Sequence, residues 1–282
     1  MLSFDTQANQ CVDPTVHSCI DTNGNPLLAT GDGVTNDQPA LQCTLDRLAS
    51  QGGGTVCLPA GTFRVMSMLS LRGRGLTLKG NGSTKTVIIG DAGAGFTGGL
   101  NDNVVLRVGR TSNISGTPFS ELVVNFSIKN LGIVGKGNLT TLGVTNASGM
   151  GEISHVGIVG NAATGFMMDV CGGVTVNSID IGNADVFPPQ FNGEVSPTRG
   201  IRIGTETANI RLQGASITNV PQESVDIFDA SGGVFGPKGI VIDGGLIRTG
   251  VGGTGIAISG LSSTRQTGPV TITGTVIETL YA

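Results

Sequence analysis

Apolar and polar residues alternate in short runs along the chain, and one eight-residue pattern of this kind recurs through its second half. The pattern is apolar, any, apolar, any, any, small or apolar, any, apolar. Its copies are FSIKNLGI (126–133), GEISHVGI (151–158), VTVNSIDI (174–181), IRLQGASI (210–217), IVIDGGLI (240–247) and VTITGTVI (270–277). Successive copies start 25, 23, 36, 30 and 30 residues apart. Self-similarity at such intervals predicts a repeat architecture.

A second short strand precedes the later copies. These strands are GFMMDV (165–170), GIRIGT (200–205), SVDIFD (224–229) and GIAISG (255–260). Their period-2 alternation turns one side of each strand inward, and such units bury that side only by stacking on one another. No copy offers ten residues of helical periodicity, which excludes helical repeats and leaves a β-sandwich as the alternative. Recurrence of one turn pattern favours an all-β solenoid, the right-handed parallel β-helix.

One segment breaks this pattern and predicts a helix at about residues 37–50. In DQPALQCTLDRLAS, Leu41, Leu45 and Leu48 recur at helical spacing, and Pro39 is tolerated in the first turn. Asn36 or Asp37 is the expected N-cap. A single helix at the start of a stack covers the open end of its apolar column. We therefore predict one β-helix domain over residues 31–282, preceded by an extension, residues 1–30, that is a possible attachment segment.

Composition supports the all-β prediction and argues against several classes of function. Glycine provides 47 of 282 residues, and charged residues are sparse at 13%. A net charge of −4 without a basic cluster argues against a nucleic-acid partner. No apolar run is long enough to span a membrane, and the first ten residues do not resemble a signal peptide. No motif indicates a cofactor or a metal site.

Five cysteines leave the redox state open. Cys11 and Cys19 flank a loop that contains Pro14, so a disulfide between them is one possibility. Cys43 and Cys57 are either small core residues or a second disulfide. Cys171 completes the set, and none of the five forms a CxxC pair.

The stretch GDGVTNDQPALQ, followed by GGGTVCLPAGTFRV, resembles the N-terminal signature of the pectate-lyase-like right-handed β-helix superfamily. Phage tailspikes, capsule depolymerases, secreted polysaccharide lyases and glycosidases, and mannuronan epimerase modules share this signature. Because the signature lies at the capped end, the resemblance implies the fold and not an activity. The GHG, RIK and DPHE motifs of family enzymes are missing here, so no family site carries over. Asp32 and Asp37 are expected in turn and capping roles.

Stacking the second set of strands places polar side chains in one outward column. The alignment puts Met167, Arg202, Asp226 and Ala257 at equivalent positions, and strands about 4.8 Å apart let Arg202 contact Asp226. Glu206 and Asp229 are expected at adjoining turns. Glycoside cleavage needs two carboxyl groups, so Asp226 with Asp229 or Glu206 forms the candidate catalytic set and Arg202 a candidate substrate-binding residue. Two other roles fit the same column, namely an ion-pair ladder that offsets charge and a non-catalytic glycan site.

An insertion lengthens the period before Arg202. The segment NADVFPPQFNGEVSPTR (183–199) contains four further candidate substrate-binding residues: Asp185, Phe187, Phe191 and Glu194. Long loops on a rigid scaffold often contain binding residues. We expect this loop to form the wall of a groove in which an aromatic ring stacks on a sugar.

Three functions compete on these observations. The first is a virion surface or tailspike-like protein, a homotrimer that contacts host glycans. It binds other virion proteins through residues 1–30, and depolymerase activity is an optional part of this hypothesis. The second is a secreted polysaccharide lyase or glycoside hydrolase. The third is a non-catalytic structural or adhesive solenoid. The first two have a polysaccharide or host-surface glycan as partner, and all three place the protein on a virion or outside the cell.

Overall fold

Short parallel strands account for most of the structure. The computed structural model describes residues 11–96, 103–109, 123–191, 193–229, 236–260 and 268–279. Helix α1 spans Gln38–Ser50, and short 3-10 turns span Ala184–Val186 and Pro189–Phe191.

The strands are numbered in chain order. They are β1 (Cys11–Val12), β2 (Cys19–Ile20), β3 (Pro26–Leu27), β4 (Asp32–Asn36), β5 (Gly54–Cys57), β6 (Gly61–Ser67), β7 (Leu69–Leu71), β8 (Leu76–Lys79), β9 (Thr86–Gly95), β10 (Val104–Val108), β11 (Val123–Val124), β12 (Ser127–Lys136) and β13 (Thr140–Ser148). They continue as β14 (Gly151–Gly160), β15 (Thr164–Cys171), β16 (Val174–Ile181), β17 (Arg199–Ile203), β18 (Ala208–Gln213), β19 (Ser216–Val220), β20 (Glu223–Asp229), β21 (Lys238–Asp243), β22 (Leu246–Thr249), β23 (Thr254–Gly260), β24 (Val270–Thr273) and β25 (Val276–Thr279).

Successive coils stack in parallel register around three faces, which confirms the right-handed parallel β-helix. Face 1 contains β1, β5, β8, the first halves of β12, β14 and β16, and then β18, β21 and β24. Face 2 contains β4, β6, β9, the second halves of the same three strands, and then β19, β22 and β25. Face 3 contains β7, β10, β11, β13, β15, β17, β20 and β23. Strands β12 and β14 reach ten residues, longer than the sequence pattern predicts, because each turns a corner without ending.

The six copies of the eight-residue pattern occupy equivalent positions in the stack. Their third residues pair in register from coil to coil, in the order Ile128, Ile153, Val176, Leu212, Ile242 and Ile272. Their last residues also pair in register. The inward side chains of the first five copies form one continuous apolar column, whereas Ile272 and Ile277 of the last copy are 43% and 47% exposed. In the six coils that contain the repeat, the corner between faces 1 and 2 has a left-handed residue. It is Asn130, His155 and Ser178 with φ of 53–55°, and then Gly214, Gly244 and Gly274.

Helix α1 closes the N-terminal end of this column, as predicted. Leu41, Leu45 and Leu48 are buried in the same cluster as Val56 and Leu76 of the first coils. The amide of Gln38 donates to Oδ1 of Asn36 over 3.3 Å, whereas the Asp37 side chain makes no capping bond. Among the described helices none has the length and apolarity needed to span a bilayer.

The aspartates of the GDGVTND stretch fix the turn before this helix. Oδ1 of Asp32 accepts from the amides of Val34 and Thr35 over 2.8 and 2.7 Å, and these bonds lower the pKa of Asp32 to about 2. Asp37 is buried and accepts from the amide of Thr30 over 2.6 Å. Burial raises the pKa of Asp37 above its ordinary value, although the bonds from Thr30 and Gly31 oppose this change. Both aspartates therefore have structural roles, but the Asp37 side chain bonds to the preceding loop and only its backbone carbonyl accepts from the helix.

Two disulfides fasten the segment before the helix, and their pairing differs from the one considered in the sequence. Cys11 is bonded to Cys57 and Cys19 to Cys43, with Cα atoms 5.6 and 5.9 Å apart. The possibility of a Cys11–Cys19 disulfide, considered from the sequence, is therefore wrong. The reason is topological, because β1 pairs in parallel with β5, which brings Cys11 beside the strand that ends at Cys57. The stack consequently begins at β1, within the predicted extension.

Candidate functional site

The outward column predicted on face 3 is confirmed by the strand register. Met167 of β15 pairs with Arg202 of β17, Arg202 pairs with Asp226 of β20, and Asp226 pairs with Ala257 of β23. The apolar residues on either side of Arg202, Ile201 and Ile203, are fully buried in the core. Alternation along each strand therefore fixes which side chains of this column point outward.

Arg202 and Asp226 form an ion pair that is largely shielded from solvent. Nε of Arg202 donates to Oδ2 of Asp226 over 3.0 Å, and the two side chains are 16% and 11% exposed. The guanidinium carbon of Arg202 also lies 4.1 Å from the centre of the Phe228 ring. This contact is a cation–π interaction, so one residue links a carboxylate and an aromatic ring.

A second carboxylate, that of Asp169, lies on the same face. Asp169 belongs to β15, and Gly204 follows β17 at the neighbouring position, since Met168 pairs with Ile203. A Cβ atom at Gly204 would lie 2.9 Å from Oδ1 of Asp169 and 3.1 Å from Cζ of Phe228. The absence of a side chain at residue 204 therefore lets Asp169 and Phe228 approach each other. Asp169, Arg202, Asp226 and Phe228 together are called the face-3 cluster.

The predicted pairing of Asp226 with Asp229 as two catalytic acids is wrong in geometry. These residues lie three positions apart on β20, so their side chains leave opposite sides of the strand. Asp229 is 1% exposed, and neither of its carboxylate oxygens has a hydrogen-bond partner. Asp229 therefore does not face a ligand that contacts Asp226.

Glu206 lies at a corner of the coil rather than in the cluster. Its φ of 55° is left-handed, as are the φ angles of Asn146 within β13 and Val170 within β15. Glu206 is partly exposed and follows β17, which contains Arg202. Its predicted catalytic role is untested by this geometry.

The insertion packs against face 2, and its aromatic rings do not face solvent. Phe187 and Phe191 are 4% and 3% exposed, and they contact each other edge to face with ring centres 6.1 Å apart. Both rings cover an apolar patch on the outer side of face 2 that includes Val87, Val134 and Val159. The expectation that these rings stack on a sugar is therefore wrong, because an outward apolar patch on the neighbouring coils buries them.

Two glycines of the repeat make room for Phe187. A Cβ atom at Gly132 would lie 2.6 Å from Cε1 of Phe187, and one at Gly157 would lie 3.0 Å from Cε2. Both glycines occupy the seventh position of their copies, directly before the inward isoleucine. The loop is thus held on the sheet by the Phe187 ring, which packs over Gly132 and Gly157.

The two acids of the insertion differ in their contacts. Asp185 is exposed, and its amide donates to Oδ1 of Asn183 over 3.1 Å. Glu194 forms an ion pair with Lys136, Nζ to Oε1 2.9 Å, beside a surface depression of about 370 Å³. Both remain predicted ligand contacts, but neither belongs to the face-3 cluster.

Phe228 and Asp169 are the residues that sequence reasoning missed. The signal for Phe228 was the alternation in SVDIFD, which places it two residues from Asp226 and therefore on the same side of the strand. The signal for Asp169 was its position in GFMMDV, two residues after Met167 and therefore on the same side of the strand. Phe228 is partly exposed, unlike the two phenylalanines of the insertion.

The family of the chain follows from a comparison with family models. The model described as rhamnogalacturonase A/epimerase, pectate lyase-like matches residues 27–184, which is more than half of the chain. The chain belongs to this family. The match ends before Arg202 and Asp226, so it carries no information about those two positions.

Curated relatives are similar over a shorter stretch. Mannuronan C5-epimerase AlgE6 of Azotobacter vinelandii is 34% identical over 119 residues, which cover 41% of this chain and 12% of the epimerase. The chain thus spans only a small part of the curated relatives that it matches.

Solved structures share the fold at low identity. The A-module of mannuronan C-5 epimerase AlgE4 of Azotobacter vinelandii aligns with a TM-score of 0.53 and 17% identity, covering 89% of this chain and 70% of that module. A mutant tailspike protein of E. coli bacteriophage HK620, solved with a hexasaccharide, aligns with a TM-score of 0.57 and 13% identity. That alignment covers 95% of this chain and 51% of the tailspike.

Proposed function

We propose that this protein is an extracellular or virion-surface β-helix protein that binds a polysaccharide along face 3. The observation that carries the proposal is the face-3 cluster, in which two carboxylates, a paired arginine and a partly exposed ring share one outward surface. Ligand sites commonly combine an aromatic surface with a few fixed polar groups. The parallel strands hold these groups rigidly, because each side chain is set by register with the coils on both sides.

The relatives support a carbohydrate ligand. The curated relatives are named for an action on mannuronan, and the HK620 tailspike was solved with a hexasaccharide bound. A polysaccharide is an extended ligand, and face 3 is an extended surface built from successive coils.

The disulfides support a location outside the reducing cytosol. Disulfides persist in secreted proteins and at virion or cell surfaces, and cytosolic thiols are kept reduced. Cys11–Cys57 and Cys19–Cys43 both lie at the N-terminal end of the stack. This supports the exported and the virion-surface hypotheses equally.

Binding along face 3 is tested with variants of the cluster. Phe228→Ala and Arg202→Ala are compared with the parent protein on a glycan array and then by calorimetry with the best glycan. Arg211→Ala is the matched control, because Arg211 forms an ion pair with Asp243 on face 1. We expect each cluster variant to weaken binding at least tenfold and the control to bind normally. Equal binding by all three variants would refute face 3 as the binding surface.

A cleavage activity is the second candidate, favoured by the two carboxylates of the cluster. Asp169 and Asp226 lie on strands separated by one other strand, so their backbones are about 10 Å apart across the sheet. Glycoside cleavage requires two carboxyl groups that flank one bond. A panel of uronic-acid and capsular polysaccharides is assayed for new reducing ends and unsaturated products. Asp226→Asn is expected to abolish any activity found, and unchanged turnover would exclude Asp226 as a catalytic residue.

The virion location and the trimer are the finer form of the proposal. Similarity in fold to a tailspike prompts both, and residues 1–30 are the proposed attachment segment. Light scattering measures the mass in solution, and we expect that of three chains. A monomer at all concentrations would refute the trimer and leave glycan binding by one chain intact.

A further inference from the structure

The strands of face 3 offer few positive charges to a ligand. They contain three arginines, Arg107, Arg199 and Arg202, and no lysine. Arg107 is fully buried. Arg199 donates to Glu223 over 2.8 Å, and Arg202 donates to Asp226 over 3.0 Å.

Negative charges outnumber these arginines. The same strands contain four acids: Asp169, Glu223, Asp226 and Asp229. Arg199 and Arg202 are thus each paired with a carboxylate, and Asp169 is a further acid beside Phe228. A sugar polymer with a carboxylate or sulfate on each unit would approach this surface against like charges. It would also have to displace Glu223 or Asp226 to reach an arginine.

We infer that face 3 takes an uncharged polysaccharide, an inference that rests on the proposed glycan-binding function. Ionised carboxylates only accept hydrogen bonds, and sugar hydroxyl groups are the donors that match them. The carboxylates of Asp169, beside Gly204, and of Asp226, beside Arg202, are the acceptors of the face-3 cluster, and the two residues are 9% and 8% exposed. The Phe228 ring offers an apolar surface to the C–H side of a pyranose. The Arg202 guanidinium stacks on the same ring, 4.1 Å from its centre, and restricts its orientation.

This ligand class differs from the one in the names of the curated relatives. Mannuronan is a polymer of uronic acid units, so it carries a negative charge on every sugar at neutral pH. Arginine and lysine side chains make the strong charge-assisted hydrogen bonds to such carboxylates, and a cation already paired with a protein carboxylate is less available for them. Among the described residues of the face-3 strands, the two arginines that are not fully buried, Arg199 and Arg202, both pair with a carboxylate, and the whole chain carries a net charge of −4.

The decisive variant is Asp226→Asn, which keeps the shape of the side chain and removes its charge. It releases Arg202 from its charged partner, so Arg202 becomes available to an anionic sugar. We expect this variant to gain affinity for mannuronan and polygalacturonate by at least tenfold and to keep or lose affinity for uncharged glycans. Asp243→Asn is the matched control, because it releases Arg211 in the same way on face 1 and should leave both affinities unchanged.

The experiment compares dextran, galactomannan and xylan with mannuronan and polygalacturonate by affinity electrophoresis at low and high salt. An array with uncharged, uronic and sulfated glycans extends the comparison. Melting curves establish that each variant is folded. Support is binding of an uncharged glycan that is insensitive to salt and lost in Phe228→Ala. Salt-sensitive binding of a polyanion by the parent protein, lost in Arg202→Ala, would overturn the inference and leave the proposed function standing. Absence of binding to every glycan, or binding that no face-3 variant alters, would overturn the proposed function itself.

Discussion

Asp226 accepts a hydrogen bond from Arg202 over 3.0 Å between neighbouring coils, in a position where both side chains are mostly shielded from water. The pair is therefore unlike the ion pair of Arg211 with Asp243, whose side chains are 51% and 40% exposed. Charges near the surface interact weakly, whereas a shielded charge that loses its partner is costly.

We expect Asp226→Ala to lower the free energy of unfolding by about 2 kcal/mol, because it leaves the Arg202 charge shielded and unpaired. A double-mutant cycle with Arg202→Ala is expected to give a coupling of about 1–2 kcal/mol in denaturant titrations. The same cycle on Arg211 and Asp243 serves as the control and should give less than about 0.5 kcal/mol. Equal coupling in the two cycles would contradict the shielding described for Arg202 and Asp226.

Each disulfide is expected to stabilise the N-terminal end of the stack. Removing the Cys11–Cys57 bond, which closes a loop of 46 residues, should cost about 4 kcal/mol in the chain-entropy account. Removing the Cys19–Cys43 bond, which closes 24 residues, should cost about 3 kcal/mol. Paired Cys→Ser variants in denaturant titrations measure both effects. Peptide mapping without reductant checks the connectivity, and a Cys11–Cys19 peptide would contradict it.

The packing of the Phe187 ring over Gly132 on face 2 predicts that a side chain at position 132 is destabilising. Gly132→Ala places a Cβ atom 2.6 Å from the ring, so the ring must move and the free energy of unfolding should fall by about 1–3 kcal/mol. The loss should be smaller when Phe187→Ala is already present, because the obstructing ring is gone. Gly193→Ala, with no atom within 4 Å of its Cβ, is the control and should be near neutral. Equal losses with and without Phe187 would show that the ring does not rest on Gly132.

Asp180 predicts a pH dependence of stability. Burial raises the pKa of Asp180 above its ordinary value of 3.8, partly offset by a hydrogen bond from Ser216. The folded protein therefore binds more protons than the unfolded chain in the window above pH 3.8. Its contribution to stability is present below that pH and is lost as the pH rises through the folded-state pKa.

The variant Asp180→Asn tests this dependence. We expect the free energy of unfolding of the variant to fall less than that of the parent as the pH rises above 3.8. Denaturant titrations at several pH values measure the difference, and a carbon-detected NMR titration gives the pKa of Asp180 directly. Parallel stability curves for the two proteins would contradict the raised pKa.

Repeated local patterns predicted the stack and its outward column. The contact between Arg202 and Asp226 could be predicted because parallel register follows from aligning GIRIGT with SVDIFD. The packing of the insertion against face 2 could not be predicted from the sequence. It depends on the outward side of distant coils, where Val87, Val134 and Gly132 form an apolar surface for Phe187. The disulfide pairing was equally out of reach, since β1 is two residues long and pairs with a strand more than forty residues away.

Parallel register from coil to coil tolerates connecting loops of different length. After the insertion the chain rejoins the stack with Arg199 paired to Thr164, so a lengthened coil leaves the register of the next one unchanged. A loop in this architecture is therefore an exchangeable module. Replacing the insertion by a shorter connection is therefore expected to leave the register of face 3, and with it the face-3 cluster, unchanged.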